Sequence, residues 1–370
     1  MNRYFKHRQG KPNVLLAAAL LAVAGCGAPA VSSQTSGGRS NVQSGNVATI
    51  SGYVGGEKLQ LLQNEKVRRI LAVKYHIAVN PIKEGSIEMV SGKDVTGKDF
   101  LWPSNDFAVE LFRRQGGKAR KDQIVFNSPI VIYTGWNIAD ALTKKGIVEK
   151  RPEGYFIVRF QELLNMIVEQ KSWKDLGLDF YGKVCVRTTD PTRSNSGNMF
   201  AGLVANTLAG DVVDETTVDS VLPKTKQLFA RLGMMERSSA DIFGKFLATG
   251  TRNSMVAGYE NQIIEFIVAS PDRRDLIQDQ VCVLYPEPTV WSSHPIISLT
   301  EKGDVLIEAM LDPDVQKLAW SEHGFRSGLE GANADKAAVG LKCIAEKIQS
   351  VSALPGAKTF MKILDALKEQ

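Results

Sequence analysis

The strongest constraint on this chain is a unit that recurs along it: an apolar, β-prone run, a turn of small or polar residues, then a helix-like run. The fullest copy has Val184-Cys185-Val186 leading into Thr188 to Asn198, and Met199 to Leu208 leading out. Others place Gly55-Gly56 after Ile50–Val54, Ser86 after a strand near His76–Pro81, and Ser104-Asn105 after Phe100–Trp102. Alternation of this kind defines an α/β chain. It also bears on function. The first amides of a helix have no partner inside it, and the helix dipole favours negative charge there. In open α/β sheets, ligands sit beyond the carboxyl ends of the strands. Turns of this composition also serve as plain helix caps, so the unit sets the class more firmly than the ligand.

The first 25 residues stand apart. Arg3, Lys6, Arg8 and Lys11 form a basic start, and Val14 to Ala24 is apolar but short for a membrane span. The run ends in Val23-Ala24-Gly25-Cys26, which resembles a bacterial lipobox. The expectation is a lipoprotein signal peptide over 1–25, lipidation of Cys26, and an extracytoplasmic protein anchored to the membrane. Residues 26–47, rich in Ser, Gly, Gln and Asn, then read as a flexible tether. Lys and Arg number 45 against 40 acidic residues, and removing the leader's four leaves 41. A near-neutral mature chain gives no case for nucleic-acid binding.

The roughly 320 residues that follow suit two domains better than one core. Strands are expected at Ile50–Val54, His76–Pro81, Phe100–Trp102 and Val281–Pro288, and over Ile124–Tyr133 with a break at Asn127-Ser128-Pro129. Helical runs are expected from Tyr155 to Glu169, Val221 to Gly233, from Met255 onward, and near Val305–Leu311. No catalytic constellation appears. There is no Gly-x-Ser-x-Gly turn around Ser196 and no HExxH among His76, His294 and His323, which read as surface or capping residues. No metal site or cofactor is expected. Three cysteines remain after Cys26: Cys185, Cys282 and Cys343. Cys185 and Cys282 are candidate neighbours, as a pair or as buried thiols.

Taken in order, Gly52-Tyr53-Val54-Gly55-Gly56-Glu57-Lys58, Gly85-Ser86-Ile87-Glu88-Met89, Trp102-Pro103-Ser104, Asp190–Gly197, Tyr285-Pro286-Glu287-Pro288 and Gly324-Phe325-Arg326 resemble the type II periplasmic solute-binding proteins of ABC importers, nearest the branch that takes molybdate, sulfate and phosphate. The resemblance implies an α/β fold of two lobes, each a mostly parallel sheet flanked by helices, joined by two hinge crossings near Ile132–Trp136 and Tyr285–Pro288. The first lobe would take 48–133 plus 286–370, the second 134–285. It implies a monomeric, non-enzymatic receptor that closes on a small solute, expected to be an oxyanion, and delivers it to an ABC permease. The expected ligand-facing residues are Gly56, Ser86, Ser104, Asn105, Asn127, Ser128, Thr189, Asp190, Arg193, Ser194, Asn195, Ser196, Gly197, Tyr259 (with Asn261) and Tyr285. Asp190 and Glu57 bring negative charge to that neighbourhood, so a cationic, chelated or organic solute stays open. A sensor or interaction lipoprotein of the same fold is the alternative, and a secreted hydrolase a distant third.

Overall fold

Ile50, Gly52 and Val54 are buried and alternate with half-exposed neighbours, so β1 (Ala48–Val54) shows one face to a helical layer and one to partial solvent. The computed structural model describes residues 47–249, 254–328 and 334–368. The leader, Cys26 and the tether up to residue 46 lie outside them.

After β1 come α1 (Leu59–Gln63) and α2 (Glu65–Lys74). Asn64 separates the two helices, its side chain accepting from the amides of Lys66 and Val67 as an N-cap. Next are β2 (Ile77–Lys83), β3 (Phe100–Trp102), α3 (Phe107–Arg114) and the long β4 (Lys121–Thr134). The middle of the chain holds α4 (Trp136–Lys144), β5 (Val148–Lys150), β6 (Phe156–Arg159), α5 (Phe160–Val168), β7 (Val186–Arg187), α6 (Asn195–Ala209), α7 (Val218–Ala230) and α8 (Ser239–Thr249). Then follow β8 (Met255–Tyr259), α9 (Asn261–Ala269), α10 (Arg274–Gln280), β9 (Cys282–Glu287) and β10 (Thr289–Ser298). The last elements are α11 (Glu301–Met310), α12 (Pro313–His323), β11 (Arg326–Ser327), α13 (Lys336–Val339), β12 (Val351–Ser352) and α14 (Ala357–Lys368).

The strands form two mixed sheets that share β4. The first has the order β2-β1-β3-β10-β4-β11, with β2, β1 and β3 parallel. The second runs β7-β8-β4-β9-β6-β5. From Lys121 to Pro129, β4 lies against β10; from Ile130 it pairs with β8, and from Ile132 with β9. The change of sheet therefore falls at Pro129–Ile130, earlier than the expected Ile132–Trp136. The strand runs through Asn127-Ser128-Pro129 without a break. On the return path Trp291 of β10 stands opposite Pro129. This two-lobe α/β architecture is the one expected.

Two local expectations are corrected. Met255–Tyr259 is a strand, and the helix begins only at Asn261. Phe156–Arg159 is likewise a strand, so only Phe160–Val168 of the expected Tyr155–Glu169 helix is helical. Both are apolar runs buried on both faces, where periodicity cannot tell strand from helix.

The segment after residue 334 packs with the second sheet. Leu341, Cys343 and Ile344 share a core with Val131, Tyr133 and Tyr285. All three described cysteines are free thiols, Cys282 and Cys343 buried. α14 reaches further. Phe360 is fully buried, meets Phe107 of α3 edge-to-face with centroids 4.6 Å apart, and shares a core with Phe200, Leu203 and Phe229 of α6 and α7. Its first helical amide, at Ala357, donates to Glu110 of α3 (2.9 Å). Removing the Phe360 ring should leave a cavity that the surrounding helices fill only in part. Phe360→Ala is expected to lower unfolding stability by about 3–5 kcal/mol, read from the urea midpoint at unchanged slope.

Candidate functional site

A cleft of about 550 Å³ opens between the two sheets. Gly55, Gly56, Glu57, Lys83–Ser86 and Ser104 line it from the ends of β1, β2 and β3. Arg193–Asn195, Arg237–Ala240, Tyr259, Asn261, Gln262 and Glu265 line it from the second sheet. This is the placement that short strands leading into helices through polar turns produce: α6, α8 and α9 all begin at this cleft. Their leading amides are donors without intrahelical partners. The side-chain Nδ2 of Asn261, at the start of α9, also finds no partner among the described residues.

Of the residues expected at the ligand, Gly56, Ser86, Ser104, Arg193, Ser194, Asn195 and Tyr259 line the cleft. Others stand behind this lining and shape it. Thr189 and Ser196 share a hydroxyl contact of 2.8 Å. Asp190 accepts from the Thr192 amide and hydroxyl, closing the turn before α6. A Cβ on Gly197 would come within 2.4 Å of the Thr189 carbonyl oxygen, so this turn and α6 can approach only at a glycine. Asn105 donates to the side chain of Asn195, whose Nδ2 donates to the Ser104 carbonyl (2.9 Å) and the Tyr259 hydroxyl (3.0 Å). The turns before α3 and α6 thus meet directly at the cleft floor. Ser128 lies beneath α9, 3.4 Å from the Asn261 amide. Asn127 instead faces β11, donating to the Ser327 carbonyl. Tyr285 lies away from the cleft: its hydroxyl donates to Glu260 (2.5 Å) and accepts from the Ala345 amide (3.1 Å).

The lining carboxylates are already partnered. Glu57 bonds Lys58 at 2.5 Å, Glu84 bonds Lys93 at 2.6 Å, and Glu265 contacts His323 at 2.9 Å. Arg193 stands 3.7 Å from Asp190. Lys83 and Arg237 have no ion pair or hydrogen bond among the described residues. Charge not cancelled within the protein is therefore positive on this surface.

Beneath the first wall lies a network that the sequence reading missed. Lys58 is fully buried, and its ammonium donates to Glu57, to Ser104 Oγ (2.8 Å) and to the Pro103 carbonyl (3.3 Å). Ser104 Oγ in turn donates to Glu57. His294, also fully buried rather than on the surface, stands 3.5 Å from Glu57 and 3.2 Å from Lys58. Burial opposes ionisation of Glu57, but Lys58 and His294 outweigh it and hold its carboxyl well below the usual range. Burial, and then the Lys58 charge, pull His294 down to about 4. Tyr259 is pushed up by burial and by the Glu57 charge, so its phenol is neutral.

A second buried pair supports the other wall. Arg326 donates to Glu260 through Nε (2.6 Å) and through Nη2 (2.7 Å), one residue before α9 begins. His323 is buried as well, between Glu265 and Asn64.

No family model matches the chain, and no curated protein matches it. Solved structures do. Iron-bound HitA of Pseudomonas aeruginosa shares 13% identity at a TM-score of 0.57, over 86% of this chain and 99% of that one. Apo ferric ion-binding protein A of Pasteurella haemolytica shares 14% at 0.55, over 87% and 97%. IdiA (FutA) of Trichodesmium, in complex with iron and citrate, shares 10% at 0.52, over 87% and 98%. The chain therefore has the two-lobe fold of periplasmic binding proteins. The names of these structures speak of iron or ferric ion, not of the molybdate, sulfate or phosphate expected from the order of segments.

The buried histidine gives a pH prediction. His294 is neutral in the folded protein down to about pH 4, whereas in the unfolded chain it protonates near its ordinary value of 6.5. Between these values the unfolded state binds more protons, so stability falls as pH is lowered, by about 3 kcal/mol for this one group. Urea midpoints measured from pH 7 to 4 should decline less steeply in His294→Gln than in the parent.

Proposed function

We propose that this chain is an extracytoplasmic solute-binding protein that takes an anionic solute in the cleft between its lobes and delivers it to an ABC importer. The supporting observation is the charge balance of the cleft: α6, α8 and α9 open onto it, the Lys83 and Arg237 side chains have no ion pair among the described residues, and each lining carboxylate already has a partner. A volume of about 550 Å³ is that of a pocket for a multi-atom organic molecule. A lone tetrahedral oxyanion would fill it only after closure of the lobes. Closure requires the solute to bind the closed state more tightly than the open one.

A second reading, suggested by the ferric-binding structures, is iron held within an anionic chelate. A bare ferric ion suits the cleft less well. The described residues hold no group of three His, Cys, Asp or Glu side chains arranged to bind a metal. The neutral Tyr259 phenol would also have to lose its proton.

Binding can be followed by thermal shift and calorimetry with sulfate, phosphate, molybdate, citrate, ferric citrate and a ferric salt alone. One or more of the anions should raise the melting temperature. Arg237→Ala should then weaken that anion by roughly ten- to a hundredfold, as for loss of a charged hydrogen bond, with the unliganded melting temperature unchanged. Stabilisation by the ferric salt alone, with no response to any anion, would refute the anionic reading.

We further propose that the lobes meet where β4 changes sheets at Pro129–Ile130 and where β10 returns opposite it at Trp291, with the segment from 334 to about 350, expected in the first lobe, going to the second, and that Cys26 carries an anchor. Among the described residues no helix is long and apolar enough to cross a membrane. In the parent, the protein should fractionate with membranes. Cys26→Ser should release it to the soluble extracytoplasmic fraction, and unchanged membrane association would remove the anchor.

A further inference from the structure

The two walls of the cleft present different hydrogen-bonding groups. The second-sheet wall offers donors: the leading amides of α6, α8 and α9, and Asn261 Nδ2, which is buried and has no partner among the described residues. The first wall adds the Lys83 ammonium, and beside it a fixed acceptor. The Ser104 hydroxyl, expected to donate to an anion, is committed: it accepts from Lys58 and gives its proton to Glu57. The carboxylate that Ser104 and Lys58 hold is Glu57, which lines that wall. Its Oε1 takes Lys58 and Ser104 and lies 3.5 Å from His294, while Oε2 has no protein donor among the described residues. The carboxylate lines the cleft with its side chain 13% exposed. Lys83, the cation on the same wall, makes no ion pair within 4.0 Å among the described residues.

A fully buried lysine is costly to keep unless its charge is compensated in place. Here the compensation locks Glu57 in its ionised form and leaves one oxygen facing the ligand space. A carboxylate so held can only accept. The pair is neutral as a whole, so it does not repel an anion, but it rejects any solute that presents bare acceptors to it. A Cβ on Gly55 would lie 2.4 Å from Ser104 Oγ, 2.7 Å from Glu57 Oε1 and 2.8 Å from Lys58 Nζ, so the network is packed with no room to rearrange.

We propose that Glu57 is the cleft's acceptor for a donor group on the solute, and that the ligand is a small organic anion carrying its own hydroxyl or ammonium group. Its carboxylate faces the helix starts and its donor faces Glu57. This rests on the anionic reading above and narrows it.

The test uses matched sets on one skeleton: succinate, malate and aspartate; acetate, glycolate and glycine; tricarballylate and citrate; with sulfate and molybdate as donor-free inorganic anions. In the parent protein, a hydroxy or amino acid of at least one set should bind about tenfold or more tighter than its unsubstituted parent, the size of a hydrogen bond to a charged group. Glu57→Gln/Lys58→Met removes both charges together, which leaves no buried ion unpaired. That variant should fold, by its melting transition, and should lose the preference. Unsubstituted acids, sulfate or molybdate binding as tightly as the donor-bearing acids would overturn the proposal while leaving an anion site intact. A preference that survives in the folded double variant would overturn the role of Glu57. If no anion of any class binds, the anionic reading falls and this inference with it. Should the double variant not fold, the ranking in the parent protein decides alone.

Discussion

The structure depends on one strand serving two sheets. β4 enters the first sheet at Lys121 and leaves the second at Thr134, so neither sheet closes without it. Pro129 sits at the change of partner. It has no N–H to give either ladder, so the switch there leaves no amide stranded. Its carbonyl accepts from the Glu260 amide (3.1 Å), which fixes where α9 begins. The Thr289 hydroxyl donates to the Ile130 carbonyl (2.6 Å) and ties the returning strand to the outgoing one. The position of a cleft-lining helix start is thus set by the crossing itself.

Two buried ion pairs then hold the walls. Lys58 with Glu57 lies under the first, and Arg326 with Glu260 and Tyr285 lies under the second. Neither is a cheap way to gain stability, since ions removed from water recover at most what they lose. Their common effect is to fix geometry next to the ligand space. Each places a carboxylate beside a backbone turn that must keep its shape, at Gly55-Gly56 and at Glu260-Asn261.

Much of this was legible in the sequence, for physical reasons. Phe100–Trp102 with Ser104-Asn105, and Val184–Val186 with Ser194–Gly197, are short strands that break at turn residues before an amphipathic or buried helix. Ser104 from the first turn and Ser194-Asn195 from the second line the cleft. The parts that stayed hidden depend on partners far away in the chain. Glu57 entered the sequence reading only as negative charge near the ligand and Lys58 as part of a motif, because nothing nearby announces that His294, 236 positions later, will close over them. Met255–Tyr259 is apolar throughout and carries Ala and Met, so its strand identity comes from pairing with β4 and β7 rather than from propensity. Tyr285 was placed near the cleft by its position on a crossing, but which way a side chain leaves a strand depends on register.

The docking of α14 has a consequence for how such a chain matures. Phe360 completes a core to which α3, near the beginning of the described chain, and α6 and α7, from its middle, both contribute. A polypeptide made from its amino end would expose that unfinished apolar surface until Ala357–Lys368 arrives. Contacts of such long sequence separation form late, because the intervening chain must first be ordered. The interval before the last helix docks is therefore when the new chain is most open to aggregation and proteolysis, and when a holdase chaperone would have most to protect.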